Sequence, residues 1–125
     1  MPNLRGATKQ GMPGPWPGRV VAVEHAHVIE NGLYRADAVK QTMARGMTGL
    51  TGAPSWADAW RTLFEKGDVV GIKVNPASGG KFCSDALVLR QILDGLAEAG
   101  VGARDVIVFN RYKAEILFRR KAKIF

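Results

Sequence analysis

The sequence predicts an α/β fold, a small three-layer structure in which crossover helices cover a parallel sheet of about three strands. Three runs rich in β-branched residues indicate the strands: RVVAVEH at 19–25, VVGIKVN at 69–75 and DVIVFN at 105–110. Amphipathic helical patterns lie between these runs, and such alternation is typical of parallel sheets with right-handed crossovers. The chain has 125 residues, 46% of them hydrophobic, which suits one globular domain.

The first helix is predicted from residue 36 to residue 50. Its apolar positions Val39, Met43, Met47 and Leu50 recur at spacings of four, four and three. The polar residues of the same segment fall on the opposite face: Asp37, Lys40, Gln41 and Arg45. Upstream, the Asn31-Gly32 pair indicates a loop or a short hairpin.

Two more helices are predicted by their capping residues. Ser55 is a natural N-cap, and Asp58 lies in the acidic first turn of a helix that carries Trp56, Trp60, Leu63 and Phe64 on one face. The third helix begins where Ser84 together with Asp85 forms the cap, and it runs to residue 99. Its core face is formed by Leu89, Leu93 and Leu96, and Gly100 provides the C-terminal stop signal.

The strands and helices divide the chain into three parts. Residues 1–18 contain four of the six prolines, and we predict that they form an extended arm rich in proline and glycine. We predict an α/β domain over residues 19–112 and a basic C-terminal tail helix over residues 113–125.

Most of the net charge of +7 lies after position 110, where the sequence has six basic residues and one glutamate. A solvated terminal helix explains this charge. Nucleic acid is not expected as a partner, because no zinc-finger spacing, helix-turn-helix or aromatic-interleaved sheet accompanies it. No apolar run approaches the roughly 18 residues that span a bilayer. The first residues lack the apolar region of a secretory signal, so we expect a soluble cytoplasmic protein, or a periplasmic one if an export signal precedes this chain.

The stretch GIKVNPASGG, residues 71–80, marks the candidate ligand site. Lys73 and Asn75 interrupt an otherwise apolar strand and, being two apart, point to the same side of it. Ligands of open α/β sheets bind at the carboxyl ends of the strands, and helix N-termini attract anions. We therefore predict that six residues form a site for an anionic small molecule: Lys73, Asn75, Ser78, Gly79, Gly80 and Ser84.

Other interpretations stay open at this stage. Lys73 can extend along an edge strand with its charge in solvent, and Asn75 can cap the turn at Pro76. The loop matches neither the GxxxxGK[ST] nor the GxGxxG phosphate-binding pattern, so a nucleotide is not expected. His25 and His27 are weak metal-ligand candidates, and Cys83, the single cysteine, precedes a helix N-terminus where a thiol becomes more reactive. We predict no metal site and assign no catalytic residue or cofactor.

Several segments together resemble a known family. They are PGRVVAVEH, ADAVKQTMARGMTGLTG, LFEKGDVVGIKVNPASGG, a helix ending in AEAGV, and DVIVFNRY. These segments, over residues 14–112, are similar to the N-terminal part of bacterial proteins of the domain-of-unknown-function 362 family. Lys73 and Asn75 match the lysine and asparagine of that family's IKxN strand. Relatives are longer, often carry a twin-arginine export signal, and some are joined to iron-sulfur modules.

The resemblance implies that the chain corresponds to an incomplete family domain. One expectation is an anionic or metal-bound small ligand, held at the C-terminal ends of the parallel strands. The alternative is a noncatalytic interaction or dimerisation module, or a truncated inactive fragment, because a short sheet leaves its edges unpaired. The same reasoning predicts a protein of marginal stability or one that self-associates.

Overall fold

The computed structural model describes residues 14–75 and 84–110. The fold is mixed helix and strand, with a short hairpin followed by two helices and a βαβ unit. In chain order the elements are β1 (Ile29–Glu30), β2 (Leu33–Tyr34), α1 (Ala36–Thr51), α2 (Trp56–Arg61), β3 (Val70–Lys73), α3 (Ala86–Glu98) and β4 (Val106–Phe109), with a short 3₁₀ turn at Ala103–Asp105. Most of the predicted arm, and the predicted tail helix, lie outside the described residues.

The hairpin predicted around Asn31 is confirmed. Strands β1 and β2 pair antiparallel, and Asn31 and Gly32 have φ angles of 53° and 75°. Two successive positive φ values are the requirement of a two-residue type I′ turn, which asparagine and glycine meet at low cost.

Arg35 ties this hairpin to the first helix. One of its guanidinium nitrogens donates to Glu30 at 2.7 Å, and Nε donates to Asp37 at 3.4 Å. The hydrogen bond to Glu30 and the charge of Asp37 raise the pKa of Arg35. Partial desolvation raises the pKa of Asp37, but the hydrogen bond from the Ala38 N–H and the charge of Arg35 outweigh it, so that this pKa is lowered.

Helix α1 has the predicted faces. Ala38 and Val39 are buried, while the predicted polar positions Asp37, Lys40, Gln41 and Arg45 are exposed. The helix ends at Gly52, whose N–H donates to the Thr48 carbonyl and whose left-handed φ of 73° turns the following chain away from the helix axis.

The prediction of a buried strand at residues 19–25 is wrong. This segment belongs to neither sheet, and its residue Val20 is 89% exposed. It lies along α1 instead: the Arg19 guanidinium donates to the Leu50 carbonyl at 3.1 Å, and Val21 and Val23 lie over Gly49 and Gly46. The two glycines have no side chain, so α1 offers a surface that the valine side chains can approach closely.

The predicted N-cap of α2 is confirmed. Ser55 Oγ accepts from the Asp58 N–H at 3.1 Å and donates to the Asp58 carboxylate at 2.6 Å. The helix is shorter than predicted, because it ends at Arg61, before Leu63 and Phe64. The Arg61 Nε donates to the Glu98 carbonyl of α3 at 3.2 Å. The hydrogen bond fixes the end of one helix against the other.

The C-terminus of α3 forms a Schellman motif. The Gly100 N–H donates to the Ala97 carbonyl at 2.9 Å, and the Val101 N–H donates to the Leu96 carbonyl at 3.0 Å. Gly100 has a φ of 88°, which glycine adopts without strain. The motif turns the chain toward β4 and buries Val101 beside Leu96 in the core.

The core lies between the helices and one face of a parallel sheet. The three helices contact one another, and the buried cluster consists of Trp60, Leu96, Ala99 and Val101. The half-buried side chains packed against it come from all three helices, the turn after α2 and both long strands: Met47, Trp56, Phe64, Val70, Ile72, Ile92 and Val106.

Trp60 and Gly95 form the tightest contact in this core. The indole of Trp60 lies directly against Gly95, and a methyl group built at Gly95 would overlap the ring. Phe64 stacks on the indole with ring centres 5.8 Å apart, and Trp56 meets it edge-on at 5.3 Å. The indole N–H is buried with no hydrogen-bond partner among the described residues.

Strands β3 and β4 form a parallel pair in the register Val70 to Val106 and Lys73 to Phe109. The predicted strand at residues 69–75 therefore exists, with shorter bounds. In both β3 and β4, half-buried side chains that face the helices alternate with exposed ones. The sheet therefore has one face packed on the helices and one open face. Val69, Ile107 and Phe109 are 69%, 55% and 46% exposed on the open face.

A mixed α/β structure with a small parallel sheet is thus present, whereas neither a third strand in that sheet nor a third layer is found among residues 14–75 and 84–110. Without a strand at residues 19–25, β4 is the one strand that pairs with β3 in the described part of the chain. None of the helices in the described part reaches the length and apolar character that a membrane crossing requires.

Candidate functional site

A cleft of about 320 Å³ opens at the C-terminal end of β3, between this strand and the start of α3. The hairpin contributes one aromatic side chain to it, and the first turns of α3 contribute aliphatic ones. The lining residues are Tyr34, Ile72, Lys73, Val74, Ser84, Asp85, Val88, Leu89 and Ile92. The cleft therefore lies where ligands of open α/β sheets bind.

Lys73 is the last residue of β3 and lines this cleft. Strand alternation places Lys73 and Asn75 on the open face, opposite to Ile72, which packs toward the core. The lysine side chain bends back, and its Nζ donates to the Val74 carbonyl at 2.6 Å. Because Val74 also lines the cleft, the ammonium lies beside the lining at the strand end.

The structure brings the backbone of Asn75 and the residue Ser84 together. The Asn75 N–H donates to Ser84 Oγ at 2.9 Å, and the Ser84 N–H donates to the Asn75 carbonyl at 2.8 Å. These two bonds bridge the end of β3 to the start of α3. They fix the spacing between the two elements that form the walls of the cleft.

The predicted helix cap needs a correction. Asp85 alone is the N-cap, and its Oδ1 accepts from the Leu87 N–H at 2.7 Å. Ser84 precedes the cap, and its hydroxyl accepts from Asn75 instead. The N-terminus of α3 is therefore already neutralised in part by a carboxylate, which weakens its attraction for an added anion.

Two residues of opposite charge, Lys73 and Asp85, belong to the lining of the cleft. Within the described residues they form no ion pair, either together or with another charged side chain. The remaining lining residues are mostly apolar. The cleft thus combines an aliphatic and aromatic wall with one basic and one acidic residue in its lining.

The other predicted site residues cannot be placed in this geometry. Ser78, Gly79 and Gly80, together with Cys83, lie outside the described residues. Lys73, Asn75 and Ser84 are the predicted residues that the structure positions, and of these Lys73 and Ser84 line the cleft.

Several residues that line the cleft were not predicted as site residues. Tyr34 belongs to the hairpin and reaches the cleft only because the chain folds back there. Val88 and Ile92 are one turn apart on α3, and their apolar character is equally typical of a core face. Asp85 was recognised as a cap but not as part of a binding surface.

The weak metal candidates have other partners. His25 Nδ1 accepts from the His27 N–H at 3.2 Å, so that Nε2 carries the proton and donates to Gln41 Oε1 at 3.2 Å. His27 Nδ1 lies 3.3 Å from a Glu30 carboxylate oxygen. In residues 14–75 and 84–110, no three histidine, cysteine, aspartate or glutamate side chains lie close enough together to hold a metal ion.

Comparisons with models of protein families, with curated proteins and with solved structures gave no match for this chain. The resemblance of the GDVVGIKVN segment to the domain-of-unknown-function 362 family stays a prediction.

Proposed function

We propose that this chain binds a small molecule through an anionic group at the C-terminal end of β3. The observation that carries the proposal is Lys73, a cation with no charged partner among the described residues, in the lining of an apolar cleft. One N–H of the ammonium goes to Val74, which leaves two donors for a ligand oxygen.

The size of the cleft favours a small molecule over a macromolecule. At about 320 Å³ it lies at the lower end of the range for ligand pockets. The bridge between Asn75 and Ser84 supports a preformed site, because it fixes the strand end against the helix before a ligand arrives. Little ordering of the walls is then required on binding.

The test is the substitution Lys73→Met, which keeps much of the aliphatic stem and removes the charge. We expect acetate, sulfate or phosphate to produce saturable NMR shifts at the amides of Lys73, Asn75 and Ser84 in the wild type. In the variant we expect the affinity for these anions, read from the same titrations, to fall about fivefold, which is the scale of one exposed charge pair. Lys66→Met is the matched control, because it removes an exposed lysine that does not line the cleft. A wild type without saturable shifts contradicts the proposal.

A second candidate function is self-association through the open face of the β3–β4 sheet. Parallel sheets are normally covered on both faces, yet Val69, Ile107 and Phe109 are exposed here. The same face exists on every copy, so two copies can stack face to face about a twofold axis. Each copy would then supply the missing cover for the other.

Sedimentation at increasing protein concentration tests this candidate. Ile107→Lys places a charge in the middle of the open face and is expected to shift any dimer to monomer. Val20→Lys is the control, since Val20 is an exposed valine outside both sheets. A wild type that stays monomeric over the tested range would argue against this function.

A further inference from the structure

We infer that the ligand of the cleft is a zwitterion with an apolar side chain, of the class of a single aliphatic α-amino acid. The inference rests on the proposed function, because it takes Lys73 as the partner of the ligand's anionic group. It adds a second recognition element, Asp85, and a role for the apolar wall.

The two charged residues of the cleft favour a ligand that carries both a negative and a positive charge. A ligand that carries only a negative charge gains from Lys73 but is repelled by the Asp85 carboxylate in the same cleft. If the ligand also carries an ammonium, that group is attracted to the Asp85 carboxylate. An isolated anion is therefore a poorer match to the cleft than a molecule with both charges.

The Asp85 carboxylate has hydrogen-bonding capacity left for a ligand ammonium. Asp85 Oδ1 accepts the Leu87 N–H, and an ionised carboxylate has about four acceptor positions, so that it can also accept from a ligand ammonium. The Lys73 and Asp85 side chains form no ion pair with each other, so their nitrogen and oxygen atoms are more than 4.0 Å apart. In the proposed complex an α-amino acid, which carries an ammonium and a carboxylate on one carbon, contacts both side chains.

The apolar wall of the cleft favours an aliphatic side chain on the ligand. Tyr34, Ile72, Val88 and Ile92 contribute aromatic and aliphatic residues to the lining. Burying a methylene group against such a surface strengthens binding about fourfold at full burial. A branched aliphatic side chain therefore fits better than a polar one.

The experiment compares four ligands by NMR titration at the amides of Lys73, Asp85 and Val88. L-Leucine has both charges and a branched side chain. 4-Methylpentanoate lacks the ammonium, 3-methylbutylamine lacks the carboxylate, and L-alanine lacks most of the side chain. We expect leucine to bind the wild type about fivefold more tightly than either singly charged analogue, the scale of one exposed charge pair. Alanine should bind about tenfold more weakly than leucine, since it loses part of the apolar contact.

The variant Asp85→Asn isolates the second charge. Asparagine is as good an N-cap as aspartate, so α3 is expected to keep its start and its helical circular dichroism. In this variant leucine should bind about fivefold more weakly, while 4-methylpentanoate binds as well as before or better. The variant Lys73→Met should bind leucine and 4-methylpentanoate more weakly than the wild type does. Its affinity for 3-methylbutylamine, which has no carboxylate, should not fall.

The outcomes separate this inference from the proposed function. If 4-methylpentanoate binds the wild type as tightly as leucine, or if Asp85→Asn leaves leucine binding unchanged, the zwitterion is ruled out while an anion site at Lys73 stands. If none of the four ligands gives saturable shifts near Lys73, and acetate gives none either, both ideas fail.

Discussion

Replacement of Gly95 by alanine is expected to destabilise the protein, although alanine is the better helix former. Gly95 lies inside α3, where the exchange by itself stabilises a helix by about 1 kcal/mol. Here the new methyl group would overlap the Trp60 indole. The ring cannot easily move aside, because Phe64 stacks on one side of it and Trp56 contacts it edge-on.

The expected size of the effect follows from these opposing terms. Overpacking a core by one methyl group costs typically about 1–3 kcal/mol, and overlap with a confined ring belongs at the upper end. After subtraction of the helix-propensity gain, we expect a net loss of about 2 kcal/mol in the free energy of unfolding. For a domain of this size that loss lowers Tm by roughly 10 °C.

Urea unfolding followed by far-UV circular dichroism measures this change. Gly46→Ala is the matched control, since a methyl group there would lie 3.9 Å from Val23, an ordinary contact, and should stabilise α1 by about 0.5–1 kcal/mol. If Gly95→Ala destabilises too strongly to be measured alone, the change is repeated with Trp60→Leu, where it should cost less. A Gly95→Ala protein as stable as the wild type would refute the packing described for Trp60.

Two further predictions concern helix starts. Ser55→Ala removes the acceptor for the Asp58 N–H. It should lower the free energy of unfolding by about 1 kcal/mol in the same urea assay. The control Ser55→Asp restores an acceptor and should recover most of the lost stability. The fold lowers the pKa of Asp37 below its ordinary value of 3.8, so ionised Asp37 stabilises the folded state above pH 3.8. This stabilisation is lost as the pH falls through the pKa that Asp37 has in the folded state. Stability measured from pH 7 down to pH 3 should therefore decline less in Asp37→Asn than in the wild type; equal declines would contradict the lowered pKa assigned to Asp37.

The helices show how far local patterns reach. The faces of α1, the Ser55 cap and the Gly100 stop were all predictable, because each depends on side-chain periodicity or on hydrogen bonds that span only a few residues. The type I′ turn at Asn31 belongs to the same class, since it needs only two residues that tolerate positive φ.

The candidate site was predictable in part. Lys73 and Asn75 stood out because polar residues interrupt an apolar strand, and the structure places the backbone of Asn75 against Ser84. The cap at Asp85 and the presence of Tyr34 were not predictable to the same degree. Adjacent serine and aspartate are both good caps, and only the competing bond from Asn75 decides between them.

The amino-acid sequence by itself determined where the helices lie, which of their faces are apolar, and that β3 and β4 are strands separated by a helix. Tertiary structure alone decided that residues 19–25 lie on α1 beside Gly46 and Gly49 instead of pairing with β3. A β-branched run shows that a segment favours an extended conformation, but its hydrogen-bonding partner is set by contacts with residues far away in the chain. The cleft has the same origin, because its walls come from the hairpin, β3 and α3, and their mutual distance is fixed by packing that no local pattern contains.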